Sequence, residues 1–548
     1  MASAKHAVES RKRIPADRKK IIGAIFLALL ACTLVYSIAT ADGPSNFGDD
    51  LAYSWYAHAA SQGRFMQNTF DVLSIRIMQI YPIGFFYLFG VSLVTSSAWD
   101  ICSFIGTMIV IFFIGRELYN EYAGLLAALL FAFMPVILKI SGTMSDSIPV
   151  MFLTSVAMLS LLYGQRLKSR KWYLITGIAL VAAFLVMPEG LFAWAIVALY
   201  LFAKFVSNRF RVRKNEQYIA YGMAIALILL FAFNYFTAGK PFITFSFTFS
   251  YFQTHTYSYF SPANGNLAFY PNEIFPYHII STVWNSISTK NISGILAIWN
   301  PSDVTFNSAG LYFYVAMLAI LLLAVRREKR AYFVLFWFII GLLIMEFDPY
   351  HVSISPFSYI LQQRLGRYLT LIAPATVLII SIAAMHTIDS AKTKKMKRIA
   401  IAIVAIVFLL LIINAIPIDR LWQSLQLNER YSQFQIAQYL KTLPNSTRIY
   451  YMSGQSIPVY MGFNNQSRFI VYDQLDNCSQ ILPDSYIALP LYAKIGSTTY
   501  TPVSANTLCP RWVPALPYTA MNFSPQVESA GSFAQTQLYY IPPNGIAH

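Results

Sequence analysis

YPIGFFYLFGVSLV, at residues 81–94, is the stretch that decides the fold. The run is apolar, but it is shorter than the roughly 20 apolar residues that a bilayer-crossing helix needs. Pro82, Gly84 and Gly90 interrupt it as well. The stretch is therefore either a poor transmembrane span or a helix that lies in the membrane interface. The choice between these alternatives determines on which side of the membrane every later loop lies.

The composition of the whole chain is that of a membrane protein. Of its 548 residues, 57% are hydrophobic, 16% are aromatic and 12% are charged. The charged share is about half of the usual ~25% in soluble domains. Because no soluble core needs so much apolar surface, we predict an α-helical polytopic membrane protein.

The apolar runs predict about eleven transmembrane helices. We expect the first to be retained, because its apolar core is longer than that of a signal peptide. The predicted spans are 21–39, 99–115, 122–140, 147–163, 172–187, 189–206, 218–236, 309–325, 331–347, 366–386 and 399–416.

The positive-inside rule decides between the two alternatives for residues 81–94. If that stretch does not cross, the cytoplasmic segments are 1–20, 116–121, 164–171, 204–217, 326–330 and 388–398. Each of these segments except 116–121 is net positive. Together, the six segments hold the whole basic excess of the chain, whose net charge is +16. If the stretch crosses, every later basic loop moves outside. We therefore predict an interfacial helix at 81–94 and a cell-membrane protein with a cytoplasmic N-terminus. The basic excess marks the inner face and does not indicate nucleic acid.

This topology divides the chain into three parts. Residues 1–20 form a basic cytoplasmic N-terminus, and residues 21–417 form the transmembrane domain, with large outer loops at 40–98 and 237–308. Residues 418–548 are expected outside as a separate domain. There, ERYSQFQIAQYLKTLP has a helical apolar period, and TRIYYMSG, RFIVYDQL and SYIALPLYA have the composition of strands. These patterns predict an extracytoplasmic α/β domain.

Two of the four cysteines, Cys478 and Cys509, lie in this outer domain. In an oxidising compartment they could form a disulfide. Closing a loop of about 30 residues would contribute roughly 3–4 kcal/mol. The alternative is two unpaired thiols.

An acidic pair opens the first outer loop. DDLAYSWYAHAASQG, at residues 49–63, predicts a short helix from Asp49 or Asp50 to Gln62, ended by Gly63. One carboxylate could be the helix N-cap, worth about 1 kcal/mol. A cap needs only one carboxylate, so the pair could also be a catalytic base or part of a metal site. Tyr53 lies one turn further along.

Two more acidic residues fall on the same predicted face. Asp146 lies between the spans 122–140 and 147–163, where it could cap the second helix. Glu189 follows Pro188 between two other spans. Acidic groups at membrane depth are costly unless they serve a site or contact water. These acids on one face are therefore candidate functional residues.

Few cations lie on this outer face. They are Arg64, Arg76, Lys139, Lys240, His351, Arg364 and Arg367. Arg364 and Arg367 lie one helical turn apart beside the span 366–386, so they could clamp a phosphate at the lipid interface. The alternative is that they extend toward lipid headgroups without binding a substrate.

Four stretches resemble the GT-C superfamily of membrane glycosyltransferases, in particular the protein O-mannosyltransferase and lipid A aminoarabinose transferase type. The stretches are DDLAY at 49–53, IGRELYNEYAGLLAALLFAFMPVIL at 114–138, TMSDSIPVMFLTSVAMLSLLYG at 143–164 and GRYLTLIAPATVLI at 366–379. Their order and spacing cover most of residues 20–390. The pair is Asp-Asp where those families show Asp-Glu, and Leu371 stands where a first proline is usual. A WWDYG run, typical of oligosaccharyltransferases, does not occur in the sequence.

The resemblance implies sugar transfer from a polyprenyl-phosphate donor, such as dolichyl or undecaprenyl phosphate, to an acceptor hydroxyl on a protein, lipid or glycan. It implies inversion at the anomeric carbon and Asp49 as the general base. Asp50 and Asp146 would then position the acceptor or a cation, while Arg367, Arg364 and His351 would hold the donor phosphate. Such families mostly need no metal cofactor, although the outer carboxylates could hold Mg²⁺ or Mn²⁺.

Two other functions remain open at this stage. A lipid-linked glycan polymerase or ligase would share the outer-facing site and a similar donor. A polytopic transporter would instead place charges near the bilayer midplane and often contain internal repeats. No repeat is visible in the sequence, and the acids lie at helix ends.

Overall fold

The structure is a computed structural model of the chain. It describes residues 16–44, 49–64, 72–207, 215–254, 311–346, 349–354, 357–361, 366–451, 457–463, 468–471, 485–490, 492–495, 499–502, 519–521 and 536–541.

Helices dominate the described residues. In chain order they are α1 Ala16–Ala39, α2 Asp49–Ser61, α3 Ile77–Tyr87, α4 Leu93–Leu118, α5 Glu121–Ala132, α6 Pro135–Ser141, α7 Ser147–Leu167, α8 Arg170–Val186, α9 Leu191–Ser207, α10 Tyr218–Ala238, α11 Ile243–Thr254, α12 Tyr312–Val325, α13 Tyr332–Glu346, α14 Ala373–Asp389, α15 Lys394–Lys441 and α16 Ile457–Tyr460.

Each predicted span coincides with one helix or with two consecutive helical segments. Within the described residues, six helical segments are long and apolar enough to cross a membrane. They confirm a polytopic helical membrane protein, while the number of eleven crossings stays a prediction. The span predicted at 122–140 is divided, because Pro135 begins α6 after the extended residue Met134. Proline favours the first position of a new helix, where its missing N–H costs nothing.

A common core joins the helices α4, α5, α7, α8, α12, α13 and α14. Glycines allow a close approach between α4 and α5. A Cβ added to Gly115 would lie 2.7 Å from the Gly124 Cα atom, closer than real Cβ contacts. The two backbones therefore touch at this point, as in other membrane helix pairs with small residues at the contact.

Residues 81–94 are split between two helices. α3 ends at Tyr87, Gly90 adopts a positive φ of 103°, and α4 begins at Leu93. With 11 residues, α3 is about 16 Å long, too short to cross a bilayer. It packs on α2, and a Cβ at Gly84 would lie 2.9 Å from the Ala57 carbonyl oxygen. Its short length fits the predicted interfacial helix.

Strands occur in two regions. β1 Pro349–Ile354 and β2 Phe357–Leu361 form an antiparallel hairpin that the sequence did not predict. The C-terminal part contains β3 Arg448–Tyr451, β4 Phe469–Val471, β5 Ser485–Pro490, β6 Tyr492–Ile495, β7 Thr499–Pro502, β8 Thr519–Met521 and β9 Thr536–Ile541. Five of these make a mixed sheet in the order β4-β3-β5-β9-β8, and β6 pairs with β7. The three predicted strand sequences contain β3, β4 and β5.

The predicted boundary at 417/418 falls inside α15, which runs for 48 residues without a break. Separate helices had been expected at 399–416 and near 429–444. They are continuous because no glycine lies between them, and Pro417 alone interrupts the helix formers there. Beyond α15, Val459 and Phe463 pack against a cluster that includes Leu51 and Ile83. The segment that follows α15 thus contacts the first loop.

Candidate active site

The first loop, predicted to lie outside, forms the expected short helix, which places the acidic pair and Tyr53 together. α2 begins at Asp49 and ends at Ser61, and Gly63 follows with a φ of 74°. Asp49 is exposed and Asp50 is half-buried. Tyr53, one turn further on, is only 1% exposed. The helix therefore directs Tyr53 into the protein and leaves Asp49 at the surface.

Asp146 binds an arginine and a tyrosine instead of capping its helix. It occupies the N-cap position of α7, but its side chain makes no capping hydrogen bond. Its Oδ2 atom lies 2.6 Å from Arg76 Nη1 and accepts a hydrogen bond from the Tyr53 hydroxyl at 3.2 Å. The Asp146 side chain is 3% exposed. The cap interpretation of Asp146 was therefore wrong, because the buried cation attracts the carboxylate more strongly than the backbone does.

Arg76 completes this contact from a third element. It precedes α3, donates through Nη1 to the Tyr53 hydroxyl, and holds its guanidinium carbon 5.4 Å from the centre of the Tyr53 ring. The side chains of Tyr53, Arg76 and Asp146 thus link α2, α3 and α7. We call these three residues the outer triad, after the membrane face on which the sequence predicts them to lie.

Backbone pairing fixes the loop that carries Asp146. Gly43 forms a parallel bridge with Thr143, and the Asp42 N–H donates to the Gly142 carbonyl at 2.9 Å. Ser97 on α4 binds both segments of this pairing. Its hydroxyl donates to the Gly142 carbonyl at 2.9 Å and accepts from the Gly43 N–H at 3.1 Å. The chain leading to the acidic pair and the loop before α7 are therefore held side by side.

Asp100 is a site residue that the sequence reasoning missed. It lies in α4 with no exposed surface, and its Oδ1 atom accepts the Ser145 N–H at 2.9 Å. Its Oδ2 atom has no hydrogen-bond partner in the described part of the chain. The Asp100 carboxylate interacts electrostatically with Asp146 and Asp50. The signal in the sequence was weak, because Asp100 is the second residue of the predicted span 99–115, and only the structure shows that its helix begins at Leu93. A charge inside a membrane helix is rare unless it has a function.

The other outer-face candidates are placed less centrally. Glu189 lies in a 3-10 helix, Pro188–Gly190, and is 8% exposed. Arg64 is exposed just after α2. Burial and, to a smaller extent, the charge of Arg64 lower the pKa of His58 below the ordinary 6.5. The His58 ring stacks on Phe463, with 4.4 Å between ring centres.

The predicted phosphate ligands are described only in part. His351 lies in β1 opposite Ile360, and Arg367 lies in a 3-10 helix, Gly366–Leu371, before α14. The side chains of both residues, and all of Arg364, lie outside the described residues. Cys478 and Cys509 also lie outside them. The phosphate-binding and disulfide assignments therefore stay predictions.

The described residues contain no group of three His, Cys, Asp or Glu side chains arranged to hold a metal ion. Among the outer carboxylates, Asp146 is engaged by Arg76 through its Oδ2 atom. The expectation about Mg²⁺ or Mn²⁺ stays untested.

A comparison with protein families matches residues 82–236 to the dolichyl-phosphate-mannose-protein mannosyltransferases. A search of curated proteins found no match. Among solved structures, ArnT from Cupriavidus metallidurans bound to undecaprenyl phosphate is similar at 12% identity and a TM-score of 0.56, covering 94% of this chain and 97% of that chain. Its apo form gives 13% identity and a TM-score of 0.54, covering 94% and 98%.

The oligosaccharyltransferase of Archaeoglobus fulgidus, tethered with an acceptor peptide, is also similar. It gives 13% identity and a TM-score of 0.50, covering 85% of this chain and 69% of that chain. The family match and the extended likeness to ArnT confirm the GT-C type of membrane glycosyltransferase fold that the sequence resemblance predicted. At such identities, the likeness establishes the fold and leaves donor, acceptor and catalytic residues to be tested.

Proposed function

We propose that the protein transfers a sugar from a polyprenyl-phosphate donor to an acceptor hydroxyl at the outer membrane face, with inversion. The observation that carries the proposal is the outer triad beside Asp50 and Asp100, at the junction of α2, α3, α4 and α7. A similar fold, ArnT, has been solved with undecaprenyl phosphate. The GT-C fold thus supports the donor class, and the acidic group supports base chemistry.

Asp49 or Asp50 acts as the general base, with Asp49 the first choice because its carboxylate is exposed at the start of α2. The acceptor oxygen forms a bond to the anomeric carbon while the carboxylate takes the hydroxyl proton. The bond from that carbon to the phosphate oxygen breaks, and polyprenyl phosphate leaves as an anion. A general base of this kind contributes roughly 10²–10⁴-fold to the rate.

Asp146 has a positioning role in this scheme. Its Oδ2 atom is already engaged by Arg76 at 2.6 Å and by the Tyr53 hydroxyl at 3.2 Å, so these contacts hold the carboxylate in place within the protein. It holds the Tyr53 hydroxyl and thereby fixes the face of α2 that carries the acidic pair. Arg367, Arg364 and His351 are the proposed ligands of the donor phosphate, where cations would stabilise the developing negative charge.

A protein acceptor is favoured at a general level by the family match to protein mannosyltransferases and by the peptide tethered to the archaeal structure. That archaeal enzyme also keeps the alternative of a lipid-linked oligosaccharide donor open. Lipids and glycans are the other acceptor classes that experiment has to test. The sugar is left to experiment, since no described side chain is assigned to recognise it.

The test is transfer of radiolabelled sugar from dolichyl or undecaprenyl phosphate in membranes that contain the full chain. Asp49→Asn and Asp50→Asn are compared with Asp17→Asn, an exposed change in the first turn of α1. We expect a loss of at least about 100-fold in one of the two pair variants and normal transfer by the control. Near-normal transfer by both would remove the pair as base. Transfer only from a lipid-linked oligosaccharide would favour the alternative.

A further inference from the structure

A cavity of about 640 Å³ lies at the end of the bundle opposite the outer triad. Glu117, which lines it, is in the last turn of α4, while Asp100 is in the second turn. Seventeen residues of helix separate the two by about 25 Å. The cavity is therefore distinct from the candidate active site, and its use is independent of the proposed transfer reaction.

One wall of the cavity is apolar and aromatic. Leu162 on α7, Tyr200 on α9, and Phe333 and Phe336 on α13 line it. The Tyr200 ring meets the Phe333 and Phe336 rings edge-on, with centres 5.1 and 5.6 Å apart. Because these rings brace one another, the wall is preformed rather than created by a ligand.

The rim of the cavity carries four cations, Arg166, Lys204, Lys329 and Arg330. Three of them have an acidic partner. Arg166 pairs with Glu117, Lys204 lies 3.1 Å from Glu216, and Arg330 lies 3.8 Å from Glu328.

The fourth cation is Lys329, which is exposed and makes no ion pair with any described residue. The contact of Arg330 with Glu328 is also long, the Arg330 side chain is 48% exposed, and His386 lies 3.1 Å from the same glutamate. Lys329 and Arg330 are therefore the cations that an incoming anion can engage most readily.

The cavity borders the lipid-facing surface. Phe202 and Val206, on the α9 turns beside Ala203 and Lys204, are exposed, as are Tyr332 and Ile339 on α13. Large apolar side chains exposed on a transmembrane helix face acyl chains. A ligand can thus enter from the membrane, with its apolar part on the aromatic wall and its polar part at the rim.

We propose that this cavity binds an acidic phospholipid, with its phosphate against Lys329 and Arg330 and one acyl chain along Tyr200, Phe333 and Phe336. A free phosphate would leave the aromatic wall unused, and a neutral lipid would leave the surplus charge unused. Basic recesses at helix ends are suited to anionic headgroups. By the charge distribution, this face is the predicted cytoplasmic one, where the sequence places the basic segment 326–330.

The test measures thermal stability of the full-length protein in detergent, with phosphatidylglycerol, phosphatidylcholine or inorganic phosphate added. Native mass spectrometry counts the lipids retained. The variant is Lys329→Gln/Arg330→Gln, and the matched control is Lys168→Gln/Lys171→Gln, which removes two exposed cations outside the cavity lining. A second variant, Ala203→Trp, fills the cavity and keeps its charges.

We expect phosphatidylglycerol to raise the Tm of the wild type and of the control. The double variant should bind that lipid about 30-fold more weakly, and Ala203→Trp should also lose the retained lipid. Equal stabilisation by phosphatidylcholine, or by inorganic phosphate, would overturn the proposal. So would no stabilisation of the wild type, or equal lipid retention by the double variant and the control.

Discussion

Arg76 and Asp146 form a buried ion pair, and each is costly without the other. Their side chains are 13% and 3% exposed, and Nη1 and Oδ2 lie 2.6 Å apart. Removing one member of such a pair leaves an uncompensated charge and destabilises a protein by about 3–5 kcal/mol. The outer triad therefore contributes to the stability of the protein, and this contribution can be measured separately from its proposed role in sugar transfer.

Arg76→Gln should therefore lower the Tm and reduce sugar transfer, whereas Arg76→Gln/Asp146→Asn should regain part of the Tm without regaining transfer. Differential scanning fluorimetry in detergent and the membrane assay measure the two effects. Arg64→Gln, an exposed arginine on the same loop, is the control and should leave the free energy of unfolding within about 0.5 kcal/mol of wild type, with little change in Tm. An unchanged Tm for Arg76→Gln would show that the pair is not buried.

Variants of Asp100 distinguish its role as a hydrogen-bond acceptor from the role of its negative charge. Asp100→Asn keeps an oxygen that can accept the Ser145 N–H. It also removes an acidic neighbour from Asp146, and with it a like-charge repulsion, so this variant should fold normally. Asp100→Ala leaves that N–H unsatisfied and should cost about 1–3 kcal/mol more. Urea or thermal unfolding compares the two variants, and equal stability of both would contradict the hydrogen bond.

The sequence could predict the individual acids but not their partners. Asp49, Asp50, Tyr53 and Asp146 were singled out from their position after apolar runs. The contact of Asp146 with Arg76 depends on how α3 and α7 pack, which no local pattern encodes. Asp100 was overlooked because it falls at the edge of an apolar run, where it resembles an ordinary helix end.

At the scale of elements, α2 is positioned by its contact with α3. A Cβ at Gly84 would lie 2.9 Å from the Ala57 carbonyl oxygen, which is backbone and cannot rotate away. Gly84→Ala should therefore push the two helices apart, lowering both the Tm and the transfer rate. Gly23→Ala in α1 meets nothing within 4 Å and should be neutral or stabilising by up to about 1 kcal/mol. Fluorimetry and the membrane assay on both variants provide the measurement.

The contact between α2 and the segment 457–463 should weaken in acid. Burial, then Arg64, lowers the pKa of His58, so the folded protein keeps this imidazole neutral at pH values where the unfolded chain protonates it near 6.5. Stability is therefore present above pH 6.5 and is lost as the pH falls below it. His58→Phe keeps a ring to stack on Phe463 and should show a smaller fall in Tm between pH 7.5 and 5.5. An equal fall in both proteins would exclude His58 as the cause.

Element types were more predictable than element boundaries. Apolar runs of about 20 residues coincide with helices such as α1, α4 and α7, because hydropathy controls membrane helices directly. The hairpin β1–β2 was missed, since its residues lie between two spans where no alternating pattern was assigned. The extent of α15 was missed because polarity changes along it while the backbone conformation does not.

At the scale of the whole molecule, the distribution of charge predicts which end of the bundle is outside. In a chain whose native cysteines are replaced by serine, a cysteine introduced at Ser45 should react with an impermeant maleimide added to intact cells. A cysteine introduced at Ser390, exposed at the end of α14, should react only after permeabilisation. The reverse pattern would invert the topology, and with it the side on which transfer is proposed.

The unbroken α15 has a consequence for how the C-terminal sheet is oriented. Its 48 residues span about 72 Å, more than twice the ~30 Å hydrocarbon core of a bilayer. Along a continuous helix, each residue adds about 1.5 Å of height and 100° of rotation. The number of residues in α15 therefore fixes both the distance of the sheet from the apolar part of that helix and the direction that the sheet faces. One inserted residue would turn the sheet away from α2, whereas seven would nearly restore its direction about 10 Å further along the helix axis.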